Sequence, residues 1–146
     1  MPKDKTHLTA ITRTRLSAPA AYLKKQNLLK GKCLDYGCGK GFDSRALRAD
    51  KYDPYYYPDK PGFRQYNTIL CIYVLNVIPN IKLRNNILKS IRKLLTRNGI
   101  AYIAVRNDTE NLNGYTSKGT WQGIIILPYA VIHRTKQYIL YKMTKG

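Results

Sequence analysis

A short apolar run, Lys32 to Tyr36, feeds straight into Gly37-Cys38-Gly39-Lys40-Gly41, and no other stretch restricts the fold of this chain as tightly. Glycines at alternate positions are needed where the backbone bends sharply and a ligand must approach without a Cβ in the way. Helix formers follow from Asp43 to about Ala49. A strand, a glycine turn and a helix in that order open a ligand site at the carboxyl end of a strand in an α/β sheet.

The rest of the chain agrees with such a sheet. Ser17 is placed to cap a helix starting at Ala18-Pro19 and running to about Leu29, with Gly31 ending it. Lys51-Tyr52 reads as a second short strand ending at Asp53, and Tyr55 to Gln65, with Pro58, Pro61 and Gly62, as a loop. Thr68 to Tyr73 is β-branched and apolar enough for a buried central strand. Lys82 to Leu95 predicts a helix whose inner face carries Leu83, Ile87, Ile91 and Leu94, with Lys82, Arg84, Lys89, Arg92 and Lys93 outward. Asn98-Gly99 predicts a turn into a strand at Ile100 to Val105, and Ile124 to Leu127 a further apolar strand. Ala130 to His133 and Gln137 to Met143 close the chain as two antiparallel strands. Residues 1–16 are expected to form a basic arm and residues 17–146 a single domain.

Several function classes drop out early. The longest apolar run, Ile69 to Ile78, is interrupted by Asn76 and is too short to span a bilayer. The N-terminus lacks the apolar stretch of a signal peptide, so a cytoplasmic protein is expected, with no membrane partner. Cys33, Cys38 and Cys71 have no paired spacing, and His7 and His133 lie far apart, so neither disulfides nor a metal site is expected.

The net charge is +18, and Glu110 is the only glutamate. A/T-rich codons would explain abundant lysine but not the loss of glutamate. Depletion of acids beside plentiful Lys and Arg therefore favours a polyanionic partner, nucleic acid first.

The glycine turn narrows the ligand. It is not the dinucleotide fingerprint GxGxxG, and no Gly-Lys-Ser/Thr makes it a phosphate-binding P-loop. Asp35, just ahead of the glycines, favours a ligand with a positive group, and S-adenosylmethionine (SAM) has an ammonium and a sulfonium. Asp53, at the second strand's end, is placed either to accept both hydroxyls of a ribose or to start an Asp-Pro turn.

Leu34-Asp35-Tyr36-Gly37-Cys38-Gly39-Lys40-Gly41 resembles motif I of the class I SAM-dependent methyltransferases. Residues 13–80 also resemble the methyltransferases associated with DNA phosphorothioation gene clusters. The matching pieces are Arg13-Thr14 with Ser17 and Pro19, Asp35-Tyr36-Gly37-Cys38-Gly39 with Gly41 and Asp43, Tyr52-Asp53-Pro54-Tyr55-Tyr56 with Pro58, and Tyr73-Val74-Leu75-Asn76-Val77-Ile78. The resemblance implies a Rossmann-like α/β sheet with a C-terminal antiparallel hairpin, trimmed because little chain separates Asp53 from Thr68. It implies SAM as cofactor, with Gly37, Gly39 and Gly41 against the methionine part, Asp35 facing the ammonium and Asp53 on the ribose. Tyr36, Cys38, Pro54 and Tyr73 are counted with them in the cofactor wall.

Asp53-Pro54-Tyr55-Tyr56 looks like the Asp-Pro-Pro-Tyr motif of amino-methylating DNA enzymes, but it follows the wrong strand and is read as ribose binding plus a lid. At the expected position stands Tyr73-Val74-Leu75-Asn76. Asn76 either accepts a hydrogen bond from a target amine or kinks the chain before Pro79, and Tyr73 either stacks on a base or packs as wall. These two are the candidate catalytic residues. Tyr55, Tyr56, Arg13 and Arg15 are candidates for substrate contact, and Trp121 is either a substrate-side anchor or core. A SAM-dependent methyltransferase of nucleic acid or a nucleotide-like substrate is the leading expectation. A catalytically silent SAM-binding subunit and a small-molecule methyltransferase are the alternatives.

Overall fold

The computed structural model describes residues 5–108 and 114–146, so Lys3 of the expected arm and Glu110 lie outside the described residues. Eight strands and three α-helices are described: α1 Ala18–Lys25, β1 Cys33–Tyr36, α2 Phe42–Leu47, β2 Asp50–Tyr52, β3 Tyr66–Ile72, α3 Ile81–Leu94, β4 Leu95–Arg106, β5 Gly114–Tyr115, β6 Trp121–Gln122, β7 Ala130–Arg134 and β8 Tyr138–Thr144. Six of them form one sheet in the order β2-β1-β3-β4-β8-β7, and β5 pairs with β6 separately. The first four are parallel. β8 runs antiparallel to β4 and pairs antiparallel with β7, which is the expected terminal hairpin. The chain leaves β1 for β2 on one side and returns to β3 on the other. Strand order therefore reverses at the carboxyl end of β1, where sheets of this kind open a crevice. β2 is the edge strand, so the sheet is trimmed as the resemblance implies.

Both faces are buried because alternate side chains of the central strands point to opposite faces. Ile69, Cys71, Ala101, Ile103 and Val105 pack on one face with Leu88, Ile91 and Leu94 of α3. Leu70, Tyr102, Ala104 and Leu140 pack on the other with Ala20 and Leu23 of α1.

Four local expectations are corrected. α1 ends at Lys25 rather than near Leu29, because Asn27 takes the left-handed conformation (φ 56°). Leu28 N then donates to Leu23 O and Asn27 N to Lys24 O, a helix stop that needs no Gly31. On α3, Leu83 is 53% exposed, and the buried stripe is Leu88, Ile91 and Leu94. Asn98-Gly99 makes no turn between elements: β4 starts at Leu95, which pairs with Tyr66, and the two residues lie in the irregularity before Ile100 meets Thr68. Ile124 to Leu127 is not a strand; Ile125 is buried in the core and Leu127 packs half-buried against it, while Ile126 is 85% exposed.

Candidate active site

The β1 exit opens into a cleft of about 730 Å³, within the usual range for small-molecule sites. Its floor is the glycine turn. Gly37, Gly39 and Gly41 all have positive φ (81°, 56° and 85°), a conformation L side chains rarely adopt. Side chains are excluded by space as well: a Cβ on Gly37 would run into Val74, and one on Gly39 would come within 3.3 Å of Ala10 Cβ. The turn is pinned by Gly37 N and Cys38 N, both donating to Tyr52 O at 2.7 and 2.9 Å.

Three carboxylates surround this floor. Asp35 is 3% exposed and accepts a 3.0 Å bond from Ser44 Oγ. Burial lifts its pKa to about 7; the Ser44 bond works against that shift, and Asp43 and Asp53 add to it. Asp43 accepts from Ser17 N and Ser17 Oγ at 2.9 and 2.6 Å. Ser17 Oγ in turn accepts from Ala20 N, so the expected cap of α1 also ties that helix to the site. Asp53 is spent largely on backbone: Oδ2 accepts from Gly39 N (2.9 Å), and Oδ1 from Tyr55 N and Tyr56 N (2.9 and 3.0 Å). It therefore fixes the glycine turn to the Pro54-Tyr55-Tyr56 loop and keeps little acceptor capacity for a ribose.

Residues of the arm roof the cleft. Thr6, His7, Thr9, Ala10, Ile11 and Arg13 line it, whereas Arg15 is exposed and does not. His7 stacks on Tyr55 with ring centroids 3.9 Å apart and planes 10° from parallel, and Tyr55 meets Tyr56 edge-on at 4.8 Å. Tyr56 Oη donates to His7 O at 3.4 Å, and Lys40 Nζ to Thr12 Oγ1 at 2.8 Å. Pro54 and Tyr55 line the cleft, but Tyr56 does not.

Tyr73 and Asn76 both line the opposite wall. Tyr73 sits at φ 59°, an outlier for a bulky residue, with its N–H donating to Ala104 O at 2.9 Å. Burial pushes its hydroxyl to about 12. Asn76 is 1% exposed; its Nδ2 donates to Gln122 Oε1 at 3.1 Å, its carbonyl accepts from Gly123 N at 2.8 Å, and its Oδ1 has no partner among the described residues. Trp121 packs partly buried against the core with the Arg84 guanidinium 5.7 Å from its ring.

Burial lifts all three thiols, Cys38 to about 12, so none is a thiolate nucleophile near neutral pH. Among the described residues, no group of three or more His, Cys, Asp or Glu could hold a metal ion. No described helix is long and apolar enough to cross a membrane. Sequence reasoning missed Arg106, Asp108, Gln122 and Gln137 as cleft residues, and quoted Asp43 only as part of the resemblance. Asp43 had a usable signal, an acid one residue into a helix that follows a glycine turn. The other four arrive from distant segments and had none.

A parallel sheet with its cleft at the β1 switch point, a side-chain-free glycine turn ringed by acids, and an antiparallel C-terminal hairpin define the class I SAM-dependent methyltransferase fold. The family model described as "Methyltransferase domain" matches residues 8–124, and the chain belongs to that family. No curated protein matches the sequence. Two solved structures share the fold: the DhpI–SAH complex (TM-score 0.58) and the DhpI–SAM–HEP complex (TM-score 0.59). Each is 13% identical over 86% of this chain and over 82% and 84% of theirs, respectively. The chain is a SAM-dependent methyltransferase, and SAM is its cofactor. The residues present fit that group. The glycine floor is a cradle that any Cβ would fill, and the buried acids favour a cationic ligand.

Proposed function

We propose that this methyltransferase acts on nucleic acid or a nucleotide-like substrate. The observation that carries this reading is the partition of charge. The chain is +18 with only eight acids, and Asp35, Asp43, Asp53 and Asp108, half of them, line one cleft. The remaining surface is left almost wholly basic, which suits a phosphate backbone. A cytoplasmic location and membership of the phosphorothioation-associated group follow from the same reading and from the matching segments between Arg13 and Asn80.

SAM supplies an electrophilic methyl group when bound. The chain's residues bind, orient and shield. Gly37, Gly39 and Gly41 give close backbone approach, with Tyr36 and Cys38 beside them. Asp35, ionised, offers its charge to the ammonium. Asp53 acts by holding the glycine turn and the Pro54-Tyr55 loop together, with its remaining acceptor capacity for the ribose. Residues 5–16 of the arm close over the cofactor through the His7–Tyr55 stack, and residues 17–146 are the catalytic domain. The Oδ1 of Asn76, without a partner among the described residues, suits an N–H donor on the acceptor, and Tyr73 borders the transfer position. Positioning of this kind is the main demand of an in-line displacement. Tyr56 and Arg15, outside the cleft, are the residues assigned to substrate that extends beyond it.

The test is incubation with methyl-labelled SAM and DNA, tRNA or total RNA in turn. Label is expected in one of these classes, with binding that weakens steeply as salt is raised. Binding without label would identify a silent SAM-binding subunit instead. Neither label nor binding in moderate salt would defeat the polyanion reading.

A further inference from the structure

The cleft has two electrical ends. Asp35 in β1, Asp43 at the start of α2 and Asp53 just past β2 stand at one end, and a different set stands one to three strands across the sheet from β1, at about 5 Å per strand. There Tyr73 ends β3, Arg106 ends β4, Gln137 leads into β8, and Arg13 descends from the arm; all four line the same cleft. Four separate segments thus bring two arginines and a phenol to one wall.

Two of these groups, the Arg13 guanidinium and the Tyr73 hydroxyl, have no hydrogen-bond or ion-pair partner among the described residues, although both are only partly exposed. Arg106 is held by a bidentate pair with Asp108, Nε to Oδ1 at 2.9 Å and Nη2 to Oδ2 at 2.7 Å. That pair orients the guanidinium and leaves its other N–H groups available. The trio Arg13, Arg106 and Asp108 keeps a net positive charge, and Arg13 and Arg106 both act electrostatically on the Tyr73 hydroxyl. Tyr73 reaches this wall from a strained backbone, and strain of that kind concentrates at ligand sites.

We propose that Arg13, Arg106 and the Tyr73 hydroxyl form an anion subsite that takes a phosphate of the methyl acceptor, with Asp108 as the counter-charge that holds Arg106 until the phosphate arrives. The inference rests on the cleft being the methyl-transfer site. It adds that the acceptor is anchored by phosphate at the β4 end while the cofactor occupies the acidic end. A phosphodiester of nucleic acid and a small phosphate monoester share this chemistry, and the test separates them.

Dimethyl phosphate, as the diester, and methyl phosphate, as the monoester, are titrated into the full chain saturated with S-adenosylhomocysteine (SAH), following arginine side-chain N–H signals by NMR. Sodium chloride at matched ionic strength is the control. Saturable shifts of the Arg13 and Arg106 signals with dimethyl phosphate are expected. Arg106→Gln should weaken that binding at least fivefold and Tyr73→Phe should also weaken it, while Lys89→Gln on the exposed face of α3 leaves it unchanged. Asp108→Asn should strengthen it, because it frees Arg106 from its counter-charge; a merely structural pair would show no gain. Binding of methyl phosphate alone would keep the subsite but contradict nucleic acid as the acceptor. If SAH binds normally yet neither phosphate moves the Arg106 signal beyond the chloride control, the subsite is refuted and the cofactor site stands. If SAH does not bind, the methyltransferase reading of the cleft fails, and the same titration on the free chain still decides the subsite.

Discussion

Asp35→Asn separates what burial does to this residue from what the cofactor does. The carboxyl is buried, and its pKa rises from 3.8 to about 7. At 1.36 kcal/mol per unit, ionising it in the folded chain costs about 4 kcal/mol. The sign follows from linkage. The folded pKa lies above the unfolded one, so the favourable contribution of the neutral form is full below pH 3.8 and is lost as pH rises through 7. About 2–3 kcal/mol of that loss falls between pH 5 and pH 8. Asparagine cannot ionise, and its oxygen can still accept from Ser44 Oγ. Urea denaturation of the free chain and the variant at both pH values should show the variant gaining about 2–3 kcal/mol relative to wild type on going from pH 5 to pH 8. Affinity for SAM should move the opposite way. A cationic ligand favours the ionised carboxylate, so wild-type affinity rises from pH 5 to pH 8, and the variant binds weakly with little pH dependence. A stability difference that stays constant between the two pH values would refute the burial argument.

Gly37→Val should abolish SAM binding, because its side chain needs the space of Val74 at a φ of 81°. Partial recovery of binding in Gly37→Ala with Val74→Ala, read by calorimetry, would tie the loss to that collision. Asp53→Ala strips three backbone amides of their acceptor and should cost about 2–3 kcal/mol in denaturant melts, with at least tenfold weaker SAM binding. Gln122→Ala leaves the buried Asn76 amide with no side-chain partner and should destabilise by about 1–3 kcal/mol, measured the same way.

The parts of the fold legible in the sequence are those set by local geometry. The glycine turn announced itself because positive φ at three alternate positions demands glycine, and Ser17 because a helix start wants a side-chain acceptor. The α3 face was misread at Leu83, which fits the helical spacing of Ile87, Ile91 and Leu94 but lies beyond the sheet, and only the sheet decides that Leu88 faces inward. Asn98-Gly99 carries a turn signal that pairing of Leu95 with Tyr66 overrides. In the site, Asp35 and Asp53 could be placed from their strand ends, but not the bonding of Asp53 to Gly39, Tyr55 and Tyr56. Arg106, Asp108 and Gln137 line the same cleft as Arg13 only because β4 and β8 pair beside β3, and no spacing in the chain encodes that arrangement.

Isothermal titration of the wild-type chain at pH 8 with SAM and with SAH tests most directly that the glycine-floored cleft is a cofactor site. Saturable one-site binding of both in the micromolar range is expected, lost in Gly37→Val. Absence of binding to either ligand by a folded chain, or full affinity retained in Gly37→Val, would contradict it.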